Sequence, residues 1–494
     1  MDTTTRFNLF SWQGKMKILH FSWIAFFITF FVWFNHAPLL GVIGESLNLT
    51  REQIKTLLIL NVALTIPARV IVGMLTDKYG PRHVYACILA LASIPCFMFA
   101  LADDFMDAAI ARFLLGFVGA GFVVGIRMVS EWFPANELGT AEGIYGGWGN
   151  FGSAAGAMLL PGMAILLGLI EFTNLEGWRI AVLLSGFISL CFSVIWYLNV
   201  TNTPKGATYY KPKKIGGMEV SSVKDFWLLI IMKLPMYAAL ALLSWKLSPA
   251  GVGLLSEQVC YVIYLLLTGI FIYDCYSAYR INRHIFSAPV PEYERYEFKQ
   301  VAILNVLYFA TFGSELAVVS MLPLFFADVF SLDMVVAGLL ASAYAFMNLM
   351  SRPGGGWLSD RFGRRKTLLI LTAGLAAGYA LMALIDSSWP LVLAVITAMA
   401  CSFFVQAGEG AVFAVVPLIK RRLTGQIAGM TGAYGNVGAV FYLTVLSLVE
   451  YQVFFMVIST TAIMGLICLT FLKEPEGHMA EVDENGSVEL ISVT

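Results

Sequence analysis

Charge is scarce in this chain. Of 494 residues only 13% are Asp, Glu, Lys or Arg, against 59% apolar residues, and the mean hydropathy is +0.78. No water-soluble fold could bury so much apolar surface, so a soluble multidomain protein is excluded and a polytopic membrane protein is expected. A basic excess is missing as well. The formal net charge is −1, which leaves no face to replace phosphate counterions and argues against a nucleic-acid partner. Cysteine is sparse and unpatterned: Cys87, Cys96, Cys191, Cys260, Cys275, Cys401 and Cys468 show no CxxC spacing and read as free thiols. The histidines, at positions 20, 36, 83, 284 and 478, never pair at ligand spacing, so neither a metal nor a cofactor is expected. The loops hold no nucleophile, metal or nucleotide constellation, which argues against an enzyme. The first apolar run, about 18–40, is too long for a signal-peptide core and has no small-residue cleavage site, so it reads as a membrane span.

What the chain has is apolar runs. About 20 residues cross a hydrocarbon core of about 30 Å, and fourteen such runs occur, at roughly 18–40, 54–75, 83–102, 107–130, 140–168, 178–200, 226–247, 256–279, 301–327, 335–357, 367–386, 389–416, 425–449 and 452–472. The expected organisation is an N-terminus 1–17, a six-span half 18–200, a polar linker 201–225, an inserted hairpin 226–279 and a second linker 280–300. A second six-span half, 301–472, and an acidic tail 473–494, expected to be disordered, complete it. Arg6, Lys15, Lys17, Lys78, Arg82, Lys205 to Lys224, Arg280 to Lys299, Arg361 to Lys366 and Lys420 to Arg422 fall on one side. Asp103, Asp104, Asp107, Glu171, Glu176, Asp328, Asp333 and Asp386 fall on the other. That asymmetry predicts a multi-pass protein of the cytoplasmic (inner) membrane with both termini in the cytoplasm.

The halves repeat one another. IPARVIVGMLTDKYGPR at 66–82 returns as LMSRPGGGWLSDRFGRR at 349–365, so Arg69, Gly73 and Asp77 match Arg352, Gly356 and Asp360 at an offset of 283. GIYGGWGNFGS at 143–153 is echoed by GMTGAYGNVGA at 429–439, at an offset of 286. Ordinary positive-inside loops would account for the basic residues but not for the repeated G-x-x-x-D-x-x-G. Gly73, Asp77 and Arg82, with Gly356, Asp360, Arg364 and Arg365, therefore read as a cytoplasmic gate.

Arg69 and Arg352 precede their aspartates by eight residues, roughly 12 Å of helix, which sets them near the membrane midplane. A bare cation there costs about 2.5 to 3.5 kcal/mol on insertion scales. Two placed symmetrically ask for an anion, and a guanidinium fork suits a flat oxyanion; the alternative is a structural arginine satisfied by helix ends or by Glu315 or Glu409. These two mid-span carboxylates are candidates for proton coupling, or for permanent arginine partners. Gly143, Gly146, Gly149 and Gly152, and again Gly429, Gly432, Gly435 and Gly438, leave one helix face of bare backbone in each half. Gly147-x-Gly149-x-x-Gly152 matches a dinucleotide fingerprint, but no strand precedes it. Asn150 and Asn436, polar on these faces, suit interhelical hydrogen bonding and ligand contact equally. Lys233, inside the inserted hairpin, is expected to snorkel or to face protein.

The double loop motif resembles the signature of the major facilitator superfamily. This implies an all-α polytopic fold of two pseudo-symmetric six-helix halves that rock about a central site; the inserted hairpin, which brings the total to 14 transmembrane helices, departs from the usual pattern. The paired G-x-x-G-x-x-G-N-x-G stretches resemble the signature of the nitrate/nitrite porter family. The resemblance implies that Arg69 and Arg352 clamp the substrate, that Asn150 with Gly146 contacts it, and that Asn436 is the partner of Asn150. YFATFGSE at 308–315 is similar to the family's seventh core helix, where Tyr308 and Phe312 would line the site, and Phe122 and Phe413 resemble the aromatics that sandwich the ion. The implied function is secondary active transport of nitrate, and of nitrite, by a monomer in the lipid bilayer, without a cofactor. Net entry of an anion against an inside-negative potential is uphill by about 2.3 kcal/mol per charge per 100 mV, which calls for two or more protons per nitrate or for exchange. Glu315 favours proton symport over nitrate/nitrite antiport. The rivals are a fourteen-span exporter of organic molecules, which two core arginines disfavour if its cargo is cationic, and a nitrate-binding sensor, for which no output domain is present.

Overall fold

The computed structural model describes residues 7–169, 175–214, 216–482 and 487–493. Arg6 and Glu171, counted in the charge asymmetry, lie outside them. Apart from a short hairpin near the C-terminus, all regular structure among the described residues is helical. A membrane dictates this, because only helices and closed barrels satisfy the backbone internally in lipid. The helices form fourteen successive units, eleven of which are long and apolar enough to cross a membrane by length and composition. The other three are Met334–Phe346 continued by Asn348–Phe362, Arg364–Met382, and Thr424–Leu446. Their polarity has a local origin: Asn348–Phe362 carries Arg352, Asp360, Arg361 and three consecutive glycines.

The repeat is visible in helix boundaries. Adding 283 to the limits of Arg51–Ala63 and Thr65–Tyr79 gives 334–346 and 348–362, the limits of Met334–Phe346 and Asn348–Phe362. Both helices are therefore interrupted at the same place, Leu64 and Met347, five residues before the core arginines. Across the two halves, Thr65–Tyr79 packs on Thr424–Leu446, and Asn348–Phe362 packs on Ala135–Gly168. The glycine faces make these crossings possible. A Cβ on Gly143 would stand 2.6 Å from the Arg352 carbonyl, and one on Gly147 2.6 Å from that of Asn348.

The inserted segment forms two helices, Val223–Leu247 and Glu257–Asn282, with the first packed on Thr424–Leu446 and Phe298–Phe330. Lys233 neither snorkels nor stands alone. Its ammonium pairs with Asp274 of the second helix at 2.5 Å, and the Tyr237 hydroxyl donates to the same carboxylate at 3.2 Å. The Tyr434 hydroxyl donates to the Met232 carbonyl at 2.6 Å, fastening the hairpin to the core.

The tail departs from the expectation of disorder. His478–Val482 pairs antiparallel with Val488–Ser492, Ala480 opposite Leu490. Glu481 is fully buried beneath this hairpin, 3.6 Å from both Lys420 and Arg422, and Lys420 donates to the Ala480 carbonyl at 2.7 Å. Burial lowers the pKa of Lys420, and Glu481 opposes that shift. Glu474 accepts the backbone N–H groups of Arg364 and Arg365, at 2.5 and 2.7 Å. An acidic composition was thus no sign of solvation, since Glu474 and Glu481 meet a basic face. Glu481→Ala would leave two buried cations without this partner; breaking such a pair costs about 3 to 5 kcal/mol. The expected outcome is early proteolytic clipping of the tail with the membrane core intact. Equal protease resistance of mutant and wild type would refute the docking.

Candidate functional site

Two latches close the end of the molecule that carries the basic loops. The Asp77 carboxylate accepts the backbone N–H groups of Gly425 and Gln426, both at 2.8 Å, in the first turn of Thr424–Leu446. Asp360 does the same to the opposite half, accepting from the N–H groups of Gly139 (2.9 Å) and Thr140 (2.6 Å) and the Thr140 hydroxyl (2.7 Å). Free amides near a helix N-terminus, with the favourable end of the helix dipole, are natural partners for a carboxylate. The approach needs glycine: a Cβ on Gly425 would lie 2.7 Å from the Gly73 carbonyl oxygen, and one on Gly139 2.6 Å from that of Gly356.

The gate arginines divide. Arg364 pairs with Asp360 and also donates to the Ala135 carbonyl, across the halves. Arg82 does not cross: its guanidinium donates to the Tyr197 carbonyl at 2.9 Å, in its own half. Arg365 likewise stays within its half, donating to the Thr470 carbonyl at 2.8 Å. The cross-half cation on the Asp77 side is Arg127, which sequence reasoning missed. It lies 3.4 Å from Asp77 and 2.9 Å from Glu131, and donates to the Arg421 carbonyl. Charged residues inside the apolar run 107–130 were the signal available for it.

Deeper in the molecule, Arg69 and Arg352 are buried, at 0% and 2% exposure, so water does not satisfy them. Each reaches the glycine helix of the other half. Arg69 Nη1 donates to the Gly432 carbonyl at 2.6 Å and Nε to that of Gly119 at 3.2 Å. Arg352 Nη1 donates to the Gly146 carbonyl at 3.4 Å and Nη2 to the Tyr308 hydroxyl at 2.9 Å, and Nη2 also pairs with Glu409. Gly432 and Gly146 are therefore equivalent, and only the second was anticipated.

The four expected aromatics come together around the arginines. Both guanidinium carbons lie 5.6 Å from the centre of the Phe122 ring, and 5.1 Å (Arg69) and 5.8 Å (Arg352) from that of Phe312, within cation–π range. Phe122 and Tyr308 are parallel to within 5°, with centroids 6.5 Å apart, and Phe413 stands edge-on to both at 4.7 and 4.8 Å. Two aromatic faces set parallel in this way are surfaces on which a flat group can stack. Gly435 makes room: a Cβ there would lie 2.6 Å from Phe312 and 2.9 Å from Tyr308.

The asparagines differ. Asn150 donates to Glu315 Oε1 at 3.4 Å, whereas Asn436 donates to the Gly432 carbonyl of its own helix at 3.3 Å, with Oδ1 unpartnered among the described residues. Asn348 and Gln406 (3.4 Å) also donate to Glu315 Oε1, a convergence of amides that no spacing announced. Among the described residues no group of three or more His, Cys, Asp or Glu side chains could hold a metal ion.

A family model described as Major Facilitator Superfamily matches residues 22–289 and 304–491. The chain is 47% identical to the nitrate/nitrite transporter NrtP of Picosynechococcus sp., over 97% of this chain and 96% of the relative. It is also 47% identical to the protein of the same name from Nostoc punctiforme, covering 98% and 97%. The high-affinity nitrate transporter 2.3 of Oryza sativa subsp. japonica is 30% identical over 88% and 73%. Among solved structures, the proton:xylose symporter XylE superposes with a TM-score of 0.59 at 14% identity, over 93% of this chain and 96% of that one. A human organic anion transporter reaches 0.62 at 12% identity, over 92% and 100%. At such identities the likeness concerns the fold alone.

Proposed function

Because this chain belongs to the major facilitator superfamily and, within it, to the family of the nitrate/nitrite transporters, we propose that it carries nitrate, and nitrite, across the cytoplasmic membrane by alternating access. The observation that carries the reading is the pair of buried arginines converging on parallel aromatic rings. A planar anion enters the slot between Phe122 and Tyr308, accepts hydrogen bonds in its own plane from Arg69 and Arg352, and is shut in by Phe312 and Phe413. A bulky or tetrahedral anion does not fit between parallel rings, which sets selectivity by shape as much as by charge. The latches at Asp77 and Asp360 hold the cytoplasmic side closed, and their release lets the halves rock.

Transport is coupled to protons, with Glu315 and Glu409 as the carboxylates within reach of the arginines. The termini, the linkers and the docked tail face the cytoplasm, in keeping with the lysine and arginine asymmetry. Uptake of labelled nitrate into proteoliposomes tests this. An inwardly directed proton gradient is expected to drive accumulation without internal nitrite. Uptake that requires internal nitrite and ignores the gradient would show an exchanger instead.

A further inference from the structure

The two core arginines are related by the repeat but are not equivalent. Arg69 is held by neutral acceptors, the carbonyls of Gly119 and Gly432. Arg352 has in addition a carboxylate in direct ion-pair contact, that of Glu409 in Leu391–Val415. At the repeat offset of 283 the residue matching Glu409 is Ile126. A buried guanidinium in this fold can therefore be seated without a carboxylate in direct contact, and the Glu409 contact is more than Arg352 needs to be held in place.

Glu409 is itself fully buried and lies against Glu315. Glu315 is held from one side: Oε1 collects the amides of Asn150, Asn348 and Gln406, while Oε2 has no hydrogen-bond partner among the described residues. The charged or titratable groups facing Glu409 are Arg352, Glu315, Tyr308 and, farther across the site, Arg69. With both carboxyls ionised, two arginines and two carboxylates sum to zero. A nitrate added to that set leaves one uncompensated negative charge in a buried site, which is strongly unfavourable.

We propose that Glu409 is an internal anion that occupies Arg352 in competition with substrate, so that nitrate displaces it and each displacement loads a proton from water onto the Glu409 carboxylate. The proposal rests on the nitrate reading above. One O–H bond forms at Glu409, one anion takes the place of another on Arg352, and the charge of the site returns to zero. When nitrate leaves, the proton leaves with it and Glu409 goes back to Arg352. This step supplies one of the two or more protons that net uptake calls for, and its coupling follows from exclusion, because one guanidinium edge cannot serve two anions.

The test is nitrate titration of the purified full-length protein in weak buffer, following both binding and proton uptake. Wild type is expected to take up about one proton per nitrate, and its Kd to rise about tenfold per pH unit wherever the displaced carboxyl is ionised. Glu409→Gln is expected to bind nitrate without that proton, with an affinity flat over the same range and tighter than wild type at its alkaline end. Nitrate binding by wild type without proton uptake overturns the proposal, whether or not the variant folds. So does a Glu409→Gln protein that still takes up the proton. Absence of nitrate binding by wild type would instead sink the transport reading itself.

Discussion

Arg69→Lys is expected to weaken nitrate binding by about two orders of magnitude, although charge is conserved. In the native site Nε and Nη1 of Arg69 are anchored on the Gly119 and Gly432 carbonyls, and Nη2 has no hydrogen-bond partner among the described residues. The guanidinium thus uses part of its fork to fix its plane and keeps the rest for an anion. A lysine ammonium is a point charge on a flexible stem, and cannot do both in fixed geometry. Each charge-assisted hydrogen bond lost is worth about 1.5 to 3 kcal/mol, roughly 10- to 150-fold in affinity. Among the described residues no carboxylate is in ion-pair contact with Arg69, so its replacement leaves no unpaired buried anion, and thermal stability should change little. Isothermal titration with nitrate decides the matter: an unchanged Kd in a folded Arg69→Lys protein would remove the clamp from the mechanism.

Gly356→Ala is expected to stop transport almost completely while Gly354, two residues earlier, tolerates the same change. A Cβ on Gly356 would run into the Gly139 carbonyl of the opposite half, where backbone meets backbone and no side chain can yield. Overpacking costs about 1 to 3 kcal/mol even where side chains give way, so closure of this latch becomes rarer by at least about fivefold to 150-fold. On the same helix, a Cβ on Gly354 meets nothing within 4 Å, and Gly354→Ala should transport as wild type does. Labelled-nitrate uptake by the two variants at equal membrane abundance makes the comparison. Similar rates would mean that the crossing of Asn348–Phe362 over Ala135–Gly168 is not what closes during turnover.

Much of this architecture was legible in the sequence, because repetition and charge leave marks at fixed spacing. The offset of 283 announced both halves, but not the shared helix breaks at Leu64 and Met347, which fall inside runs read as continuous, 54–75 and 335–357. The cost of a cation in an apolar run singled out Arg69 and Arg352. Pairings across the two halves left no such mark. That Arg69 rests on Gly432, or that Asp360 meets the amides of Gly139 and Thr140, depends on how helices cross, which hydropathy does not record. Arg127 could have been found by the reasoning applied to the core arginines, since it interrupts an apolar run in the same way. The tail was misjudged by composition. HMAEV and VELIS flank an Asn485-Gly486 step, a recognised hairpin signal that net acidity gives no reason to look for.

The latches have a genetic consequence. Asp77 and Asp360 each supply the side chain of a contact whose receiving partners in the other half are largely main-chain amides. A main-chain amide cannot be exchanged by mutation, so a defect at either aspartate has no charge-swapped suppressor in the opposite half; the arginines beside them, Arg127 and Arg364, belong to the same half as their aspartates. Selection for revertants should return the original aspartate, or changes that weaken the competing open state elsewhere. For the same reason, the two latches should leave little correlated variation between the halves, even though they are among the closest contacts joining them.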